Sequence, residues 1–145
     1  MSAGLKIYDA NEVTIIIAGI PIDSGFADGE FVRIEQDSDD FTDVVGTDGE
    51  VTRSKTNDRR ATITLILMQS STGNAVLSAL NLLDKKVGAG AGVGPFLVRD
   101  KQGTSLYSAS KSWIAKPPVA GFGREAGPRE WRVRVADLER IDGGN

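Results

Sequence analysis

In Glu130-Trp131-Arg132-Val133-Arg134-Val135, the apolar residues Trp131, Val133 and Val135 alternate with Arg132 and Arg134. A period of two puts successive side chains on opposite faces of a strand. One face of this segment therefore belongs to an apolar core and the other to charge, and the strand is read as Glu130 to Leu138. A core strand with such contrast needs neighbours, and the rest of the chain supplies them.

Arg59 to Gln69 (RRATITLILMQ) begins with the same alternation, Ile63, Leu65 and Leu67 opposite Thr62 and Thr64. From Ile66 and Met68 onward both faces are apolar, so this strand runs beneath another element. Glu12 to Ala18 (EVTIIIA) is rich in β-branched residues and ends at a turn, Gly19-Ile20-Pro21. Phe31 to Gln36 alternates Val32 and Ile34 with Arg33 and Glu35, Phe41 to Val45 reads as a short strand, and Leu106 to Lys116 as a longer one.

One segment has a different period. After Ser71-Thr72-Gly73-Asn74, the residues Val76, Leu77, Leu80 and Leu83 recur at helical spacing, and Lys85-Lys86 suits the negative end of a helix dipole. A single helix is expected at about residues 73–86, capped by Ser71 or Thr72, with its apolar stripe covering a sheet. Gly46 to Asp58 (GTDGEVTRSKTND) and Gly88 to Pro95 read as long loops, the second as a flexible Gly/Ala connector. Pro117 to Gly123 and Glu125 to Pro128 make a third irregular stretch. The expected fold class is mainly β, two packed antiparallel sheets in a sandwich-like arrangement with one flanking helix. Its 145 residues are enough for one domain, 1–145, with a core that needs no metal or disulfide staple.

Composition narrows function further. The chain is 40% hydrophobic and 26% charged, and it contains no cysteine and no histidine. Thiol nucleophiles, disulfides, Ser-His-Asp chemistry, histidine-ligated haem and the common structural zinc sites are thereby excluded. Carboxylate pairs for glycoside chemistry remain formally open, yet such sites are usually rich in aromatic rings. Here the only tryptophans are Trp113 and Trp131, and Trp131 belongs to a core strand. The chain is read as non-enzymatic, with no cofactor. Gly88 to Gly94 (GAGAGVG) follows a helix rather than a strand and fits no phosphate-binding spacing. Asp37 to Asp43 lacks the glycine and distal glutamate of a calcium loop and reads as an acidic connection between strands.

Neither end nor middle reads as a targeting or spanning segment. Met1 to Lys6 has no basic region followed by an apolar one, and the near-apolar run Val13 to Ile22 is about half a membrane span and holds Gly19 and Pro21. A soluble protein made in a reducing cytoplasm is expected. Its net charge of −3 hides a division. Residues 1–50 carry 12 acids against Lys6 and Arg33, a net of −10, whereas residues 51–145 carry 15 Lys or Arg against 8 acids, a net of +7. Chance with solvated loops is one reading of this division, and an acidic surface of one copy meeting a basic surface of another is the other.

Several strings together resemble a known family. They are Tyr8-Asp9-Ala10, Gly25 to Glu30 (GFADGE), Val45 to Ser54 (VGTDGEVTRS), Asn57-Asp58, Gln69 to Asn74 (QSSTGN), Asp100 to Gly103 (DKQG), Lys116-Pro117-Pro118 and Arg129-Glu130-Trp131. Over nearly the whole chain they resemble tail tube proteins of contractile-tailed bacteriophages, a family similar to type VI secretion and other contractile-injection tube proteins. The resemblance implies stacked six-subunit rings whose inner sheets join into a multi-subunit β-barrel, a conduit for DNA. It implies a virion protein made in the host bacterial cytoplasm. The partners implied are further copies of itself, tail sheath, baseplate or tube initiator, tail terminator and tape measure proteins, with DNA as transient cargo.

On that basis the Gly46–Arg60 excursion is expected to reach from one ring toward the next, disordered in the lone subunit and ordered in the tube. Its candidate contact residues are Gly46, Asp48, Gly49, Glu50, Val51, Thr52, Arg53, Lys55, Asp58, Arg59 and Arg60. Glu35, Asp37, Asp39 and Asp40 are candidates for the lumen, where carboxylates would repel phosphate, while Arg33, Arg132 and Arg134 could line it or pair across subunits. A monomeric β-sandwich module that binds carbohydrate or peptide is the alternative from a different functional class.

Overall fold

The computed structural model describes residues 4–144, so Met1 to Ala3 of the N-terminal reading lie outside the described residues. In chain order the elements are β1 (Val13–Ile17), β2 (Ile20–Ile22), β3 (Val32–Gln36), β4 (Phe41–Val45), β5 (Val51–Lys55), β6 (Ala61–Met68), α1 (Gly73–Val87), β7 (Gly94–Asp100), β8 (Leu106–Lys116), β9 (Pro128–Val135) and β10 (Glu139–Ile141). Among the described residues the fold is mainly β, with one α-helix, a single 3-10 turn at Ala10–Glu12 and two antiparallel sheets. The larger sheet has eight strands, in the order β2-β1-β7-β8-β9-β6-β3 with β10 also on β8, and β4 and β5 form a separate two-stranded sheet. The larger sheet does not close, so β2 and β3 each leave an edge.

Alternation builds the core. In β6, Ala61, Ile63, Leu65 and Leu67 are fully buried, and opposite them in β9 are Trp131, Val133 and Val135, register partners Leu65↔Trp131 and Ile63↔Val133. The sheet curls so that Ile15 and Ile17 of β1 and Phe96 and Val98 of β7 share this cluster, with Leu77 of α1. Trp131 lies where sheet and helix meet: its Nε1–H donates to Asn74 Oδ1 at 2.9 Å, and Asn74 Nδ2 donates to the Met68 carbonyl at 2.9 Å. The buried indole is thereby satisfied, and the start of α1 is tied to the end of β6.

The helix start is also packed from below. Ser71 Oγ donates to the Ser24 carbonyl at 3.2 Å and accepts from Gly73 N–H at 3.2 Å, so the side-chain cap is Ser71 while Thr72 makes none. Gly25 presses against this serine with φ +77°, and a Cβ there would sit 2.2 Å from Ser71 Oγ. Only glycine fits that combination of backbone sign and approach.

Several expected elements differ. Gly19-Ile20-Pro21 is a turn only at Ala18-Gly19, and the chain returns as β2, where Pro21 sits on an edge strand. The flexible connector after the helix is instead two successive tight turns, Ala91 N–H to Gly88 C=O and Val93 N–H to Gly90 C=O. It is packed against Asp84, whose carboxylate accepts from Gly92 N–H at 3.2 Å, and β7 follows at once. The last strand ends at Val135: Asp137 breaks the ladder, accepts from the Ser110 and Lys111 amides at 3.2 and 3.3 Å and from the Ser110 hydroxyl, and β10 resumes the pairing. Those hydrogen bonds hold the Asp137 carboxyl below its ordinary range. In α1, Leu77 is the buried centre and Leu80 packs beside it, whereas Val76 and Leu83 are exposed because the stripe is rotated toward Leu77.

Candidate assembly surfaces

The excursion expected as a disordered loop is a hairpin. β4 and β5 pair in full register, Phe41↔Lys55, Asp43↔Arg53 and Val45↔Val51 on one face, Thr42↔Ser54 and Val44↔Thr52 on the other. The turn closes by Gly46 N–H to the Glu50 carbonyl at 2.7 Å and Gly49 N–H to the Gly46 carbonyl at 3.0 Å. Asp48 Oδ1 accepts from Glu50 N–H at 3.0 Å, an aspartate bonding its own backbone two residues on, and Gly49 supplies φ +88°. The Arg53 guanidinium lies 4.3 Å from the Phe41 ring centroid.

Every residue of both strands is exposed. Val44 and Val45 are 70% and 64% exposed, Val51 61% and Phe41 46%. A lone two-stranded hairpin is marginal in water. Four apolar side chains on an uncovered hairpin call for burial by something outside the chain.

Polar bonds fix the base of this arm. Thr56 N–H donates to the Asp40 carbonyl at 2.8 Å, and Gln36 Nε2 donates to Asp40 Oδ1 at 2.7 Å. Asp58 takes the Arg60 guanidinium through both oxygens, at 2.9 and 2.8 Å, and accepts from Ser38 Oγ at 2.8 Å. These bonds, the Arg60 contact foremost, hold the Asp58 carboxyl far below the usual carboxylate range and raise Arg60 in turn. Arg59 stands 3.9 Å from Glu139, a loose ion pair with both side chains mostly in water.

The face of the sheet opposite the core is the second surface. Across β3, β6, β9 and β8 the register aligns two rows, Glu35–Thr62–Arg134–Trp113 and Arg33–Thr64–Arg132–Lys116. In the first row Arg134 donates to Thr62 Oγ1 at 2.9 Å and to Asp37 Oδ2 at 2.5 Å, so Asp37 is spent on an ion pair. Glu35 lies on this face. Asp39 and Asp40 sit in the β3–β4 connection at the base of the hairpin.

Of the expected contact residues, the structure brings Gly46, Asp48, Gly49 and Glu50 together at the hairpin tip. Val51, Thr52, Arg53 and Lys55 form one strand, and Asp58, Arg59 and Arg60 lie at the base. Sequence reasoning missed Phe41, Val44 and Val45 as part of the same exposed surface. It also missed Lys116 on the polar face, where the alternation of β6 had already put Thr64. For the first group the signal was the pair of runs Phe41 to Val45 and Val51 to Lys55 on either side of a Gly-Thr-Asp-Gly turn. Among the described residues no helix is long and apolar enough to cross a membrane.

Two solved structures that share this fold are tube terminators. The tube-terminating cap of the anti-feeding prophage superposes with a TM-score of 0.59 at 7% identity, over 97% of this chain and 95% of that one. A sheath/tube terminator of an extracellular contractile injection system, in its extended state, gives 0.56 at 11% identity over 97% and 100% of the two chains. At those identities the likeness is one of fold. Sequence carries more: the chain is 32% identical over 150 residues to structural protein ORF10 of Pseudomonas phage KPP10, spanning 100% of this chain and 87% of that protein. The family model described as the bacteriophage PhiTE tail tube protein matches residues 8–143, and the chain belongs to that family.

Proposed function

We propose that the protein is the subunit of a phage tail tube, a single domain that stacks as hexameric rings and forms the conduit through which DNA leaves the virion. Membership of the tail tube family supports a structural role in the tail, and no catalytic step is assigned to the chain. The observation that carries assembly is the exposed β4–β5 hairpin, whose Val44, Val45 and Val51 find no cover within the subunit and whose Phe41 has only Arg53 beside it. In this reading the hairpin docks on the adjacent ring, and the open edges of β2 and β3 pair laterally, so that no edge stays free. The polar face of β3, β6, β9 and β8 then lines the lumen, with Glu35 and the Asp37–Arg134 pair on it. Sheath, initiator, terminator and tape measure proteins are the tail partners that such a tube requires.

A second reading has a specific support. Both solved neighbours named above are terminators, so a subunit that caps a tube as one closed ring uses the same fold. Negative-stain images with sedimentation velocity over a range of concentrations test both. Long tubes are expected; closed single rings that never stack would assign the terminator role, and a monomer at every concentration would remove both readings in favour of a binding module.

A further inference from the structure

Two adjacent rows on the polar face are treated oppositely by the fold. Arg134 is closed off by Asp37 and Thr62, as described. One row away, Arg33, Thr64, Arg132 and Lys116 stand side by side across four strands, and all four line one cleft of about 380 Å³. Arg33 reaches Glu30 at 2.7 Å, but neither Arg132 nor Lys116 has an ion pair among the described residues. Glu130 lines the same cleft and Glu35 belongs to the neighbouring row, and neither comes within ion-pair distance of the row's cations.

Lys116 is on this face because of a local irregularity. Ile114 pairs with Val133 and Lys116 with Arg132, so Ala115 is an extra residue on β8. Without that bulge Ala115 would oppose Arg132, and Lys116 would turn toward the core beside Trp131. The bulge thus sets two like charges directly opposite each other, an arrangement that costs stability in a sheet unless an anion offsets it.

We infer that the Arg33–Thr64–Arg132–Lys116 row binds the phosphates of a nucleic-acid backbone. Its four positions span three inter-strand spacings, about 14 Å, a line of charge rather than a pocket for one ion. Guanidinium forks and a hydroxyl suit phosphate oxygens, and the aromatic in the cleft lining, Trp131, is buried and closed to a stacking base, so contact is with the backbone and independent of sequence. An acidic polypeptide is the competing occupant, because Pro117, Pro118 and Val119 line the same cleft and offer it apolar contact, whereas the row itself is charge and hydroxyl alone. The inference takes its setting from the tube reading but concerns each subunit alone. Tubes without phosphate binding would sink the row and leave the tube standing, and binding without tubes would do the reverse.

The test is titration of the full chain with a short fluorescent single-stranded oligonucleotide at several salt concentrations. Three phosphate contacts predict a slope of log affinity on log salt near −2, from about −0.7 per contact on a single strand. Lys116→Ala with Arg132→Ala should weaken binding about tenfold or more at low salt and bring the slope under about 1 in magnitude. Lys85→Ala with Lys86→Ala, at the end of α1, should leave both unchanged, and circular dichroism melts should show both double variants folded. No binding at low salt, a slope near zero, or an equal loss in the Lys85/Lys86 variant would overturn the inference. Tighter binding of poly-glutamate than of the oligonucleotide would reassign the row to an acidic protein partner and overturn it equally.

Discussion

β6 with β9 and β4 with β5 are both antiparallel pairs, yet they end in opposite environments. In β6 every second residue from Ala61 to Leu67 is buried, and in β9 Trp131, Val133 and Val135 are buried with them. In β4 and β5 no residue is buried at all, although Val44, Val45 and Val51 are as apolar as the valines of β9. Local sequence makes a strand in both cases. What differs is whether the chain itself supplies the covering layer, and for the hairpin it does not. One pair should therefore answer mutation through subunit stability and the other through assembly.

The sharpest break is at Trp131. Replacing it by alanine empties the junction of β6, β9 and α1 and strands the Asn74 amide that its Nε1–H bonds. Loss of a large buried aromatic typically costs about 3–5 kcal/mol, comparable with the whole stability of a small domain. Trp131→Ala is expected to unfold or aggregate the protein in chemical denaturation followed by circular dichroism. A midpoint within a degree or two of the parent's in a thermal melt would show that the inner face of β9 is misassigned. Next in size is Gly25→Ala, which meets both a positive φ and the Ser71 side chain. A cost of roughly 1–3 kcal/mol is expected from strain of this kind, read as a lower melting temperature with the fold retained.

The hairpin should behave otherwise. Replacing Val51 to Lys55 by glycine and serine removes β5 without touching the buried cluster, so the monomer's melting temperature should barely move while tube counts in electron micrographs fall to background. Tubes at the parental yield would take the hairpin out of the interface and leave its exposed valines unexplained. A large drop in melting temperature would instead mean that the arm supports the core, and the contrast drawn here would dissolve.

How much of this the sequence shows follows from the same contrast. β9 and β6 are legible because burial on one face and water on the other leave an alternation that few other structures produce. β2 and β10 are not: Ile20-Pro21-Ile22 contains a proline and Glu139-Arg140-Ile141 is mostly charged, and each is a strand only because β1 or β8 offers it an edge. β7 was hidden by the Gly/Ala run before it, whose turns are tied to Asp84 by a contact no local pattern reveals. The hairpin's strings and its turn stood out, but its self-pairing did not, since neither Phe41 to Val45 nor Val51 to Lys55 alternates apolar with polar residues. Alternation also places Arg132 and Arg134 on one face. Which of them is paired depends on Asp37, 97 residues away in sequence from Arg134, and on the bulge at Ala115.

The smallest expected effect lies at the hairpin base, where Asp58 joins Arg60 and Ser38. Its carboxyl is held far below the ordinary value of 3.8, chiefly by the Arg60 hydrogen bonds. A group whose folded pKa is depressed contributes stability that is present above its unfolded pKa and is lost as pH falls through the folded one. The base should therefore stay closed at neutral pH and down through about pH 4, and loosen only in stronger acid. Because the site faces solvent, the loosening should be local: faster amide exchange at Thr56 and along β4 and β5, with the β6–β9 amides unchanged. Asp58→Asn should bring that faster exchange to neutral pH and flatten its dependence on acid, since the charge that titrates is gone. Hydrogen exchange followed by NMR from pH 7 down to about pH 2 reads both effects. If the variant and the parent show the same exchange at neutral pH, the Asp58–Arg60 pair does not hold the arm, and the Asp40–Thr56 and Asp40–Gln36 bonds fix its base alone.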